Sequence, residues 1–232
     1  MYVNDSMDLA QYKVREQSFV TRVYGWMCFA LAITAFSAFY VASDRVLLKM
    51  IFANRMIFFG LIVAELLAVI FMTAAINKIS SFTATCLFVS YSVLNGVTLS
   101  VILLVYTATS VASAFFATSA TFAVMSCWGW YTKKDLTTLG SLCSMALIGI
   151  IIASIVNLFL QNSMMYWITT YVGVLVFVGL TAYDTQKIKQ MSASFEAGSE
   201  QAKKSALLGA LALYLDFINL FLMLLRIFGD RK

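Results

Sequence analysis

Seven long apolar segments separated by short polar ones dominate the chain. Each holds about 20 residues or more, which at a rise of 1.5 Å per residue is enough to cross a hydrocarbon core of about 30 Å. The connections are too short to form a second domain. The pattern therefore predicts an all-α, polytopic membrane protein. The predicted spans cover residues 23–43, 56–76, 82–106, 109–131, 139–161, 164–183 and 206–228.

The chain begins with a polar segment of mixed charge. This segment lacks the short apolar region and the small-residue cleavage site of a signal peptide. We expect a short cytoplasmic tail over residues 1–22, whose first 18 residues have no defined structure, followed by a single seven-helix membrane domain over residues 23–232.

The last predicted span keeps one aspartate, Asp216, near its middle. A carboxylate at that depth costs about 2.5–3.5 kcal/mol on insertion scales, so we expect it to have a partner or a water-filled cavity. Helical periodicity places Gly209, Ala212 and Asn219 on the same side, and small residues let helices approach closely in lipid. We interpret this span as a central helix that packs along its aspartate face. A structural hydrogen bond between helices is the alternative role for Asp216.

Composition supports the membrane assignment and excludes several kinds of chemistry. The chain is 62% hydrophobic and 12% charged, whereas soluble domains carry about 25% charged residues. It has no histidine, which excludes Ser-His hydrolysis, histidine-ligated zinc and histidine-ligated haem. It has no proline either, so bends must come from glycine, serine or threonine, and Asn95-Gly96 could loosen a helix. The four cysteines lie in apolar runs and are interpreted as core residues.

Positive charge is distributed unevenly between the two sides of the predicted bundle. Ten of the 16 Lys and Arg residues fall on the side of the N-terminus. The positive-inside rule then places the N-terminus in the cytoplasm and, after seven full spans, the C-terminus outside. The net charge of +5 suits contact with anionic lipid, and nothing in the sequence indicates a nucleic-acid partner.

Two further acids lie in or near the predicted spans. Asp184 lies near the cytoplasmic end of the sixth span, in GLTAYDTQKIK, and Glu65 lies in the second. Asp184 is shallower than Asp216, so the two can meet only if the last helix begins below the surface or tilts. A solvated helix end is the alternative for Asp184. Glu65, like Asn219, is a candidate for an ion pathway, with a packed polar contact as the alternative for Glu65.

Two carboxylates in close contact at low dielectric cannot both ionise cheaply, so they tend to share one proton and titrate together. When deprotonated, Asp184 and Asp216 would offer the oxygen ligands that calcium prefers. Two side chains fall short of the usual six to eight oxygens, so carbonyl groups, water or Glu65 would have to supply the rest. Competition between protons and calcium would give a cation path whose conductance depends on pH.

Two motifs carry a specific family resemblance: GLTAYDTQKIK at residues 179–189 and LGALALYLDFINLFLMLLRIFG at 208–229. Four shorter motifs extend it over nearly the whole chain. These are RVYGWM at 22–27, NGVTLS at 95–100, YTKKDL at 131–136 and MALIGII at 145–151. With them, the chain resembles the Bax inhibitor family, also called transmembrane Bax inhibitor motif proteins, and above all its bacterial inner-membrane members.

The resemblance implies a last helix surrounded by the other six, and a pH-sensing pair at Asp184 and Asp216 that controls a calcium leak. Family members studied as channels have an arginine near the end of the second helix. In this chain, Lys78 is the cation in that region and is the candidate ion-pair partner. Lysine makes a single point contact, whereas arginine can bond to two carboxylates at once. The resemblance also implies an alternative function, a regulator that binds a membrane partner. Some bacterial relatives are implicated in restraining a membrane-bound protease.

An intramembrane aspartyl protease is a remote alternative. Those enzymes place a Tyr-Asp and a Gly-x-Gly-Asp on successive helices and use the two acids as general acid and base. Tyr183-Asp184 fits the first motif, but Leu213-Tyr214-Leu215 precedes Asp216 without a glycine. The Pro-Ala-Leu motif of those enzymes cannot occur in a chain without proline. We therefore expect no enzymatic activity and no cofactor, with calcium only as a permeant or bound ion.

Overall fold

The computed structural model describes residues 2–193, 195 and 198–232, with side chains from Val14 onward except that of Arg55. The described residues form eight α-helices and no β-strand. The helices are α1 (Tyr2–Ser43), α2 (Arg45–Phe52), α3 (Arg55–Ala75), α4 (Ser81–Val105), α5 (Ala108–Tyr131), α6 (Thr137–Leu160), α7 (Ser163–Ser192) and α8 (Glu200–Phe228). Seven of them, all but α2, are long and apolar enough to cross a membrane. The predicted fold class is confirmed.

Three helices extend beyond the predicted spans. Residues 2–22, predicted as a tail with its first 18 residues unstructured, continue the first span as part of α1. α7 continues past the predicted end at residue 183 to Ser192, and α8 begins at Glu200 instead of residue 206. The apolar pattern marks only the part of a helix that matches the bilayer, because polar residues continue the same helix into water without a change of backbone.

The structure also contains a short helix that the sequence did not reveal. α2 has only eight residues, and Arg45 and Lys49 break its apolar pattern. The carboxylate of Asp44 caps its first turn, accepting hydrogen bonds from the backbone N–H groups of Val46 at 2.8 Å and Leu47 at 3.2 Å. Asp44 therefore starts a new helix one residue after α1 ends.

The described chain forms two compact units. The first contains the residues up to Val105 together with Ile188–Tyr214. Within it, α4 packs against α1 and α3. Gly96 allows the close approach of α4 to α1, because a Cβ atom there would collide with the backbone carbonyl of Thr34. Gly96 therefore serves packing, and α4 continues through Asn95-Gly96 as an unbroken helix.

The second unit contains Tyr106–Lys187 and Leu215–Lys232. Side chains from α6, α7 and α8 form its buried apolar cluster. The cluster consists of Cys143, Ile150, Val176, Phe177, Leu180, Leu220, Met223 and Leu224. The other three cysteines, Cys28, Cys86 and Cys127, are exposed, so the prediction that all four are core residues was wrong for these three.

Burial differs strongly among the seven candidate spans. In α8, 72% of the most apolar window is buried, compared with 6% in α3 and 11% in α6. This is the burial expected of a central helix. Burial in α8 is not confined to the aspartate face, however, because Phe217 and Phe221 on other sides are also buried. The apolar surfaces of α3 and α6 remain available for contact with lipid.

Candidate functional site

Asp184 of α7 and Asp216 of α8 both belong to the second unit, and the structure brings them together. Their carboxyl groups lie within hydrogen-bonding reach of each other. Asp216 is buried, with 4% of its surface exposed, whereas Asp184 is half-buried. The two acids can meet because α7 continues well past Asp184, which places this residue inside a helix instead of at its solvated end.

The hydrogen bonding of Asp216 is incomplete. Its Oδ2 atom is buried and has no hydrogen-bond donor among the described residues. An ionised carboxylate can only accept hydrogen bonds, so two ionised carboxylates cannot bond to each other. A protonated carboxyl group gains one donor. Chemically, this arrangement can hold one proton between the two acids.

Two further titratable groups lie close to the pair. The ammonium group of Lys187, one turn beyond Asp184 on α7, lies within electrostatic range of that carboxylate. It also lies 5.8 Å from the centroid of the Tyr183 ring. On α6, the thiol of Cys143 lies within electrostatic range of Asp216. Lys187 was not singled out from the sequence, although its spacing of three residues on a helix was a usable signal.

Small residues on two neighbouring helices hold α7 in place around Asp184. A Cβ atom at Gly129 of α5 would collide with the backbone carbonyl of Ala182. Similarly, a Cβ atom at Gly140 of α6 would collide with the ring of Tyr183. Glycine at these positions allows close helix packing, which fixes the backbone immediately before Asp184.

The connection between α5 and α6 is also anchored to α7. Gln186 accepts a hydrogen bond from the backbone N–H of Leu136 at 2.8 Å and donates one to the carbonyl of Lys134 at 2.9 Å. In the same connection, the hydroxyl and the backbone N–H of Thr137 donate to Asp135 at 2.6 and 2.9 Å. These bonds hold the pKa of Asp135, an exposed residue, below its ordinary value. Asp135 lies between Lys134 and Leu136, the two residues that bond to Gln186, and it differs from the aspartate pair in being exposed.

The donor set for a metal ion is small. Within the described ranges, no group of three or more His, Cys, Asp or Glu side chains is arranged to hold a metal. Calcium usually takes six to eight oxygens, so the two carboxylates could supply only part of its shell. A cation in contact with the pair would therefore keep water or take carbonyl oxygens.

Glu65 lies in the first unit, within a buried polar network that sequence reasoning missed. Thr98 of α4 donates a hydrogen bond of 2.5 Å to Glu65, and the Asn95 side chain also bonds to it. Asn95 accepts a bond from the Tyr214 hydroxyl at 3.2 Å, which also bonds to the Thr34 hydroxyl at 2.6 Å. In the sequence, these residues are isolated polar positions in apolar segments. They form a network only because four helices pack together.

The structure also describes the two remaining candidate residues, Asn219 and Lys78. The Asn219 side chain donates a hydrogen bond of 2.8 Å to the carbonyl of Leu215 in its own helix. Lys78 lies in the turn after α3 with its side chain exposed. The roles predicted for them, in an ion pathway and as an ion-pair partner, stay predictions.

Comparison with known proteins places the chain among related membrane proteins. A family model described as "Inhibitor of apoptosis-promoting Bax1" matches residues 16–232. The chain is 49% identical to the inner membrane protein YbhL of Escherichia coli (strain K12) over 228 residues, which cover 98% of this chain and 97% of YbhL. It is 42% identical to a protein of Borreliella burgdorferi over 229 residues, covering 97% and 99% of the two chains.

A third relative is protein RP147 of Rickettsia prowazekii, which is 41% identical over 217 residues, covering 92% of this chain and 90% of RP147. The family match includes both aspartates and nearly the entire length of the chain. From this match and from the seven apolar helices, we conclude that the chain belongs to the Bax inhibitor family.

Proposed function

We propose that this protein is a pH-sensitive leak pathway for calcium or another cation, in which Asp184 and Asp216 form the gating pair. One observation carries the proposal: two carboxyl groups from different helices lie within hydrogen-bonding reach, and one of them has a buried oxygen without a donor among the described residues. A buried acceptor without a donor is costly, and a shared proton removes that cost.

The mechanism follows from the two protonation states of the pair. With one proton between them, the carboxyl groups form a hydrogen bond and hold α7 against α8. When that proton leaves, two negative charges face each other at close range and repel. Their oxygens then become cation ligands, so flux should rise as the pH rises. Lys187 partly balances the charge on Asp184, and Cys143 is the other titratable group near the pair.

The proposal includes the cellular setting. The relative YbhL is an inner membrane protein, and we extend that location to this chain. The excess of Lys and Arg on the N-terminal side favours a cytoplasmic N-terminus and a periplasmic C-terminus. In this orientation, the pair would respond to protons that reach α7 and α8 from the cytoplasmic side. We propose no catalytic residue and no enzymatic activity.

Calcium flux into liposomes tests the proposal. The full chain is reconstituted with an entrapped calcium indicator, and the pH is varied equally on both sides. The flux of the wild type should rise with pH, by about tenfold per pH unit below the midpoint if one proton controls it. Asp184→Asn and Asp216→Asn should each shift or remove this dependence, because an amide cannot lose a proton and the coupled pair is reduced to a single carboxyl group.

Asp135→Asn is the matched control, because it makes the same chemical change at an exposed acid outside the pair. It should keep the pH profile of the wild type. Wild-type flux that is flat or falls with rising pH would contradict the proposal, and so would equal losses in Asp135→Asn and Asp216→Asn. Flat flux would favour the alternative raised by the sequence, a regulator that binds a membrane partner such as a membrane-bound protease.

A further inference from the structure

The first unit contains a cavity that the proposed leak does not use. It lies where the N-terminal part of α1 meets the end of α7 and the beginning of α8, and its volume is about 80 Å³. A single buried water needs only about 10–15 Å³ measured in this way, so a group of several atoms fits. Arg15, Ser18 and Arg22 of α1 line one side.

The two arginines share one face of α1. They are seven residues apart, which is two helical turns, and Ser18 lies between them on the same cavity wall. Among the described residues, neither arginine forms an ion pair. Arginine presents several N–H donors in a planar fork that fits phosphate oxygens. The cavity wall thus carries two cationic groups that have no anionic partner among the side chains that the structure describes.

Two described acids that lie near the cavity residues in sequence, Glu16 and Glu200, are engaged elsewhere. The carboxylate of Glu16 pairs with Lys189 at 3.9 Å. The carboxylate of Glu200 accepts hydrogen bonds from the backbone N–H of Ser81 at 2.6 Å and from its hydroxyl at 2.9 Å. A third acid, Glu196, lies outside the described residues. Because the two described acids already have partners, they leave the charge of the arginines available to a ligand.

The other walls suit the polar end of a lipid. Phe19 and Phe195 stack with ring centroids 6.5 Å apart and give the cavity one apolar side. Ala202, in the first turn of α8, lines another side, and the positive end of the helix dipole favours an anion there. The cavity lies where α1, α7 and α8 extend past their apolar segments, and helix ends of this kind lie next to the lipid headgroups.

We propose that this cavity binds a phosphate group held by Arg15 and Arg22, with an anionic phospholipid headgroup as its source. Basic pockets between transmembrane helices are suited to such headgroups, because they combine fixed positive charge with an apolar rim for the start of the acyl chains. The site lies among residues of the first unit and does not depend on the aspartate pair. Its test is therefore independent of the test for cation flux.

Thermal unfolding of the full chain in a zwitterionic detergent provides the measurement. Dioctanoyl phosphatidylglycerol, dioctanoyl phosphatidylcholine and inorganic phosphate are titrated separately. Phosphatidylglycerol should raise the unfolding temperature of the wild type to a saturating limit, because a ligand that binds only the folded state stabilises it. Phosphatidylcholine should have a much smaller effect, since its choline group neutralises the phosphate.

The test variant is Arg15→Gln combined with Arg22→Gln, and its apparent affinity should be weaker by about tenfold or more. Both arginines are exposed, so the fold should survive. The matched control, Lys203→Gln with Lys204→Gln, removes the same charge from the first turns of α8 at positions that do not line the cavity. It should bind as the wild type does. Arg15→Lys with Arg22→Lys keeps the charge and should recover only part of the affinity.

The possible outcomes distinguish a lipid headgroup from free phosphate, and specific binding from diffuse electrostatic attraction. Saturable, arginine-dependent stabilisation by phosphatidylglycerol alone supports a lipid site. The same dependence for inorganic phosphate supports a phosphate site filled from solution. Equal losses in the arginine and lysine variants would show diffuse attraction and overturn the proposal. Equal stabilisation by the zwitterionic lipid, or no loss in the arginine variant, would overturn it as well.

Discussion

At the scale of single residues, two buried or half-buried polar groups in these apolar helices, Tyr214 and Glu65, have hydrogen-bond partners on other helices. Tyr214 is fully buried, and its hydroxyl lies 2.6 Å from that of Thr34 and 3.2 Å from the Asn95 oxygen. Glu65 is held in the same network by Thr98. Asp216 differs from both because one of its oxygens has no donor among the described residues. Under the proposed function, this oxygen makes Asp216 the group that takes up a proton, since a carboxylate can be protonated.

The structural role of Tyr214 leads to a prediction about stability. Tyr214→Phe removes the hydroxyl but keeps the ring, so Asn95 loses a donor in a buried position. We expect the free energy of unfolding in detergent to fall by about 1 kcal/mol, within the range found for hydrogen bonds between membrane helices. Tyr171→Phe is the control, because that side chain is exposed. Equal stability of the two variants would show that the network contributes nothing measurable.

At the scale of the helices, close contacts at glycine determine where the functional side chains lie. Gly129 of α5 allows contact with the backbone of α7 at Ala182, two residues before Asp184. Gly149 of α6, in contrast, has open space where a Cβ atom would lie. Both residues lie in helices, where replacing glycine by alanine favours the helix itself. Alanine substitutions at the two positions therefore separate the effect of packing from the effect of helix propensity.

Gly129→Ala should destabilise the protein. The added methyl group collides with backbone atoms, which cannot rotate away, and overpacking of this kind costs about 1–3 kcal/mol. Gly149→Ala should instead be neutral or stabilise by up to about 1 kcal/mol. Unfolding in detergent, monitored by tryptophan fluorescence, measures both. A Gly129→Ala variant as stable as Gly149→Ala would contradict the close packing of α5 against α7.

At the scale of the whole molecule, the sequence predicts the membrane spans well because each apolar run is set by the thickness of the bilayer. The same reasoning selects Asp216, since charge is rare in such runs, and it draws attention to Asp184 directly after the end of the sixth run. It could not predict their contact, which depends on how far α7 continues beyond its apolar part. It also missed α2, which is too short and too charged for the pattern, and Thr34, Asn95 and Tyr214, which are linked only by packing.

Infrared difference spectroscopy of the carboxyl groups during a pH titration measures whether Asp184 and Asp216 share one proton. If the acids are coupled, Asp184→Asn should shift the band or the titration midpoint of the remaining Asp216, and Asp216→Asn should do the same for Asp184. Asp135→Asn should leave the titration of the pair unchanged. If each acid instead titrated in its partner's Asn variant as it does in the wild type, Asp184 and Asp216 would not share a proton.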